Sequence, residues 1–104
     1  MRWAVNLYTT EKTKKKLPVI LRKLGKKKIT PGIWLITIAS NEQNLLDVFH
    51  SIYYQQSMFE KMNPDIVGIA GSEAEAGELV VKIVEDVWKQ NGNFDVRAFF
   101  KFQE

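Results

Sequence analysis

The chain carries 104 residues, 45% hydrophobic and 12% aromatic, with a formal net charge of +3, enough for one core and hence one domain, residues 1–104. It has no cysteine and one histidine, His50, which excludes disulfides, thiolate catalysis, cysteine-based metal sites and a multi-histidine site within one chain. No apolar run approaches the ~20 residues that span a bilayer, and the N-terminus lacks a signal peptide's apolar stretch, so a cytoplasmic protein is expected.

First in chain order is "WAVNLY", residues 3–8, a strand with Trp3, Val5 and Leu7 on one face. Leu17, Ile20, Leu21 and Leu24 then recur at helical spacing, Gly25 suits the C-terminal cap, and lysines crowd the last turn, where cations favour the helix dipole. Proline is tolerated at the first helical position but costs about 3 kcal/mol in an interior. Pro18 therefore means that this helix either begins near Leu17 or is kinked there.

The same segment is strongly basic. Lys12, Lys14, Lys15, Lys16, Arg22, Lys23, Lys26, Lys27 and Lys28 form a candidate patch; residues 1–28 net +9 with Glu11 as their one acid, and residues 29–104 net −6. Its plain reading is a solvated amphipathic helix, and the alternative is a surface for nucleic acid, an anionic ligand or an acidic protein. Against nucleic acid stands the lack of aromatic residues among these bases, since stacking platforms need them.

"TPG" at 30–32 is a turn into "IWLITIA", an unbroken apolar run that fits an interior strand of a parallel sheet. Ser40 followed by Gln43 is a capping-box pattern, and it predicts a helix through Met62 with Leu45, Phe49, Ile52 and Phe59 on one face and Gln56 in the middle of that stripe. "NPD" at 63–65 breaks the chain before "IVGIA", a short buried strand whose Gly68 would let a helix approach closely. Ser72 with Glu75 repeats the capping box and opens a third helix. After the turn "NGN" at 91–93, "FDVRAFFKF" alternates Phe94, Val96, Ala98 and Phe100 with Asp95, Arg97, Phe99 and Lys101, which predicts an edge strand.

The resulting order β-α-β-α-β-α-β predicts a three-layer α/β/α sandwich on a four-stranded, mainly parallel sheet, with the flavodoxin-like order 2-1-3-4 favoured and a ferredoxin-like α+β fold as the alternative. That topology resembles the sugar-phosphotransferase IIB phosphocarriers, whose phosphorylated cysteine follows the first strand. Thr9 and Thr10 hold that place here and the chain has no cysteine, so the role is not carried over.

In a doubly wound sheet, ligands favour the crevice at the strand C-termini. Thr9, Thr10, Ser40, Asn41, Gly71 and Ser72 are the candidate ligand-binding residues there, suited to a small phosphate-type anion through hydroxyls and helix N-terminal amides. Each hydroxyl is also an ordinary N-cap, and Glu11, Glu42 and Glu73 would repel a phosphate. "GIAGSEAEAG" matches neither the dinucleotide fingerprint nor the P-loop. His50 reads as a partly exposed structural residue and the Glu85–Asp86 pair as a solvated face. No catalytic residue, metal or cofactor is expected.

On the third helix, Ala76, Leu79, Val80, Ile83, Val84 and Val87 make the sheet-facing stripe, while Val81 and Trp88 widen the apolar arc to about 200°, more than one sheet needs. Either Trp88 folds over the sheet edge onto Phe99 or Phe102, or this surplus is an interface. The favoured reading is a non-enzymatic α/β domain acting by self-association, a dimer by preference, or by binding another protein. Val81, Trp88, Phe99 and Phe102 are its candidate interface, with Asp95 and Arg97 pairing across two copies of the last strand.

Overall fold

The computed structural model describes residues 2–26, 28, 30–41, 43–55, 61 and 63–103. In chain order its elements are β1 (Arg2–Thr9), α1 (Glu11–Lys14), α2 (Leu17–Gly25), β2 (Trp34–Ile38), β3 (Leu46–His50), a 3-10 turn (Ser51–Gln55), β4 (Asp65–Ala70), α3 (Glu73–Asn91), α4 (Val96–Phe99) and β5 (Phe102–Gln103). The strands form one sheet in the order β3-β2-β4-β1-β5. Among the described residues β1 and β4 pair in parallel, and the other three pairs are antiparallel.

This is an α+β fold with one long helix, and it overturns the mainly parallel, flavodoxin-like 2-1-3-4 sheet expected from the sequence. The ferredoxin-like alternative fails as well. That fold needs antiparallel pairing around one two-helix layer, whereas here the central pair is parallel and the two helices pack on opposite faces. On one face, Ile20 and Leu24 of α2 meet Leu35, Ile66 and Ile69. On the other, Ala76, Leu79, Ile83 and Val87 of α3 meet Ile36, Ile38, Val67 and Ala70.

The misreading has a definite physical source. An unbroken apolar strand reports burial on both faces, and Leu35, Ile36, Ile66, Val67, Ile69 and Ala70 are indeed fully buried; it does not report direction. The connection from β1 to β2 leaves and returns at the same end of the sheet, where a Cβ built on Gly32 would lie 4.0 Å from the carbonyl oxygen of Gly71 just past β4. β2 therefore enters against β4.

Residues 46–50 are a strand where a helix through Met62 is expected. Asn41 Oδ1 accepts from the amides of Gln43 and Asn44, at 3.0 and 2.9 Å, so the Ser40–Gln43 stretch closes as a turn and does not open a helix. β3 then covers the free side of β2 along five pairs, with Leu46 and Val48 against one core and Phe49 against the other. Leu45 and Ile52, assigned to the same helical stripe, are exposed. The end of β3 is tied down by buried groups: Thr30 Oγ donates to Ser51 Oγ (3.0 Å), which donates to the Thr30 carbonyl (2.7 Å). Gln56 and Phe59 lie outside the described residues.

The last strand is also shorter than its alternation suggests. Asp95 caps α4 by accepting from the Ala98 amide at 3.1 Å, and Val96 and Phe100, four apart, are both buried. That helical burial leaves only Phe102 and Gln103 as strand. Pro18 falls in the first turn of α2, so the helix begins at Leu17 and is not kinked. Gly68 admits neighbouring strands and not a helix: a Cβ there would meet the Ile36 side chain at 2.9 Å and the Tyr8 carbonyl at 3.3 Å.

Candidate functional site

Because β1 and β4 run parallel, Thr9, Thr10, Gly71 and Ser72 come to one end of the sheet. Thr9 Oγ1 is buried without a hydrogen-bond partner, whereas the hydroxyls of Thr10 and Ser72 are committed locally. Thr10 Oγ accepts from the Thr13 amide (3.3 Å) and donates to Thr13 Oγ (3.1 Å). Ser72 Oγ accepts from the Glu75 amide (3.1 Å) and donates to the Glu75 carboxylate (3.3 Å). A Cβ on Gly71 would sit 2.9 Å from that carboxylate, which therefore stands where an oxyanion would approach. Lys12 and Lys16 rim the adjoining hollow of about 260 Å³.

Ser40 and Asn41 lie at the opposite end, beside Phe94 and Arg97, because β2 is antiparallel to β4. The six candidate residues are thus divided between the two ends of the sheet. Among the described bases of the patch, Lys12, Lys14, Lys15, Lys16, Arg22, Lys23, Lys26 and Lys28 are all exposed. They are divided between α1, the turn after it, α2 and the chain beyond, and Lys27 lies outside the described residues.

The candidate interface also separates. Phe99 and Phe102 are partly buried against the α3-side core, whereas Val81 and Trp88 are 58% and 52% exposed. Trp88 does not fold onto Phe99 or Phe102; it stacks on Phe94, itself 49% exposed, with ring centroids 5.0 Å apart. Asp95 and Arg97 do not alternate along a strand. Arg97 reaches back to Asp65 (3.6 Å), whose carboxylate takes two 2.8 Å hydrogen bonds from the Arg2 guanidinium, and Arg2 lies 4.7 Å above the Phe102 ring. This cluster fastens the starts of β1 and β4 to α4 and β5.

His50 is structural: its Nδ1 accepts from the Ile52 amide (3.1 Å) and its ring meets Trp34 edge-on. Asp86, read from the sequence with Glu85 as part of a solvated face, instead accepts from the Tyr8 hydroxyl at 2.6 Å and joins α3 to β1, a pairing that sequence reasoning missed. Burial, and then Asp86, push the Tyr8 phenol well above its ordinary range. The Tyr8 hydroxyl, aided by Lys82, holds Asp86 below the usual carboxylate range. A separation of 78 positions leaves no local signal for this pair.

Comparison with protein-family models, with curated proteins and with solved structures gives no match.

Proposed function

We propose that this chain is a non-enzymatic binding domain that pairs with a second copy through the outer face of α3. The observation that carries this is the half-exposed Trp88–Phe94 stack at one end of an outward stripe. Ala74, Gly77, Val81, Val84 and Trp88 follow one another at steps of three and four, the spacing of a helix–helix seam. Ala74, Gly77, Val81 and Trp88 are exposed and Val84 is half-buried.

The stripe is self-complementary. Ala74 and Trp88 lie equally far from Val81 on either side, so an antiparallel two-fold pairing at Val81 sets each Trp88 over the small-residue end of the other copy. Space is available there, since nothing lies within 4 Å of a Cβ added to Gly77. An apolar seam of this kind is little screened by salt.

Equilibrium sedimentation at low and high salt tests the proposal. The expected result is a dimer insensitive to salt, weakened about thirtyfold or more by Trp88→Glu, as for an aromatic residue buried in the seam. A monomer at high micromolar concentration, or a dimer unaffected by Trp88→Glu, would contradict it.

A further inference from the structure

A second surface, independent of the α3 seam, lies along β1. Among the described residues β5 pairs only with Trp3 and Ala4, and the last backbone hydrogen bond on that side is the Val5 amide donating to the Lys101 carbonyl at 2.8 Å. Beyond it the segment before β5 turns away into α4, where the Phe100 amide donates to the Val96 carbonyl. Faces alternate along β1: Trp3 packs on the α2 side, and Ala4 and Tyr8 on the α3 side. β1 breaks register with β4 between Trp3 and Tyr8, but Ala4 and Tyr8, four apart, face the same side, so alternation sends the main-chain groups of Leu7 and Thr9 to the outer edge that the Val5 amide faces. Strand β1 is eight residues long, and its second half has no strand on this side among the described residues.

A hollow opens on each face of this bare edge, and the two differ in chemistry. The α3-side hollow, about 550 Å³, sets Lys14, Lys101 and Gln90 beside Phe99 and Phe100 in its wall, with Glu11 as its one carboxylate. The α2-side hollow, about 570 Å³, is walled chiefly by Trp3, Leu7, Leu17 and Leu21. Val5 stands between them, 51% exposed.

We infer that the bare edge of β1 accepts an extended segment of a partner protein as an added strand, in which acidic side chains alternate with apolar ones. Main-chain hydrogen bonds to Leu7 and Thr9 hold such a segment, and strand alternation sends successive side chains to opposite faces. Acidic side chains meet Lys14 and Lys101, and apolar ones enter the hollow beside Leu17 and Leu21. Charge also selects the occupant. Residues 1–28 carry a net +9, so two such edges brought together repel each other, whereas an acidic strand is drawn in.

Addition of an acetylated Glu-Val repeat peptide to the full chain tests this, followed by amide hydrogen exchange and backbone amide shifts. The Leu7 and Thr9 amides should become protected about tenfold or more, less so at high salt. A Lys-Val repeat, or a Glu-Val repeat methylated on alternate backbone nitrogens, should not protect them. The double change Lys14→Glu and Lys101→Glu, which leaves the core untouched, should weaken the Glu-Val peptide about tenfold. Shifts at the lysines without protection of the edge amides would overturn the inference, as would equal protection by the Lys-Val repeat. Protection that grows with protein concentration in the absence of peptide would assign the edge to a second copy, and would overturn it too.

Discussion

The two halves of β1 meet the same sheet neighbour and have opposite fates on their outer side. Trp3 and Ala4 are covered by β5 and stand beside the Arg2–Asp65–Arg97 cluster. Asn6 to Thr9 run bare past two hollows, one rimmed by lysines and the other chiefly apolar. The difference originates far away in the chain. Residues 94–101 could have extended β5 along the whole of β1, but Asp95 caps a helical turn and Val96 and Phe100 bury themselves against α3. A short helix that satisfies its own backbone leaves another element's backbone exposed.

The covered half should be the more sensitive to mutation. Phe100→Ala removes a buried ring that contacts Tyr8, Phe99 and Phe102, and is expected to cost about 3 kcal/mol. It should also speed exchange of the Val5 amide, because α4 and β5 lose their anchor; an unchanged Val5 amide would break the link drawn between α4 and the covered half. Asp65→Asn leaves two arginines facing a neutral amide. Both guanidiniums are partly solvated, so the cost should be about 2 kcal/mol, below that of a fully buried pair, and urea unfolding measures it.

In the bare half the effects should be smaller, and they carry a pH signature. Tyr8→Phe removes the 2.6 Å bond to Asp86 and should cost about 1 kcal/mol. The Tyr8 phenol has a raised folded-state pKa, so its stabilisation is complete below about pH 10 and is lost as pH rises above that. Asp86 has a lowered one, so its contribution is present above about pH 4 and fades as pH falls below it. Tyr8→Phe should flatten both limbs of the stability curve, and a variant whose limbs match the parent would show that the pair does not couple β1 to α3. The smallest effect belongs to Thr9→Val. Thr9 Oγ1 is buried without a hydrogen-bond partner, so removing it should change stability by less than about 1 kcal/mol, in the stabilising direction if at all.

Legibility in the sequence follows the same division between local and distant causes. Helix α3 was readable from end to end: Ser72 and Glu75 make its capping box, and Gly92 closes it in the left-handed region at φ 70°. The buried strands β2 and β4 were readable as apolar runs, but their directions were not, because burial is blind to the sign of a strand. At β3 two periodicities competed. Leu45, Phe49 and Ile52 fit a helix, whereas Leu46 and Val48 set against Phe49 fit a strand, and the open side of β2 decided the outcome. At the last segment a two-residue alternation concealed Asp95 as a cap. Of the candidate surfaces, the outward pair Val81 and Trp88 was visible as surplus apolar width. Phe94, which completes the aromatic stack, and the bare edge of β1 were not, because both depend on where α4 begins.

Amide exchange along β1 in the free protein tests the difference between its halves most directly. The Val5 amide, bonded to Lys101, should exchange slowly, and the Leu7 and Thr9 amides about a hundredfold or more faster. Uniformly slow exchange from Val5 through Thr9, unchanged on dilution, would mean that β1 is covered along its whole length and would contradict the account.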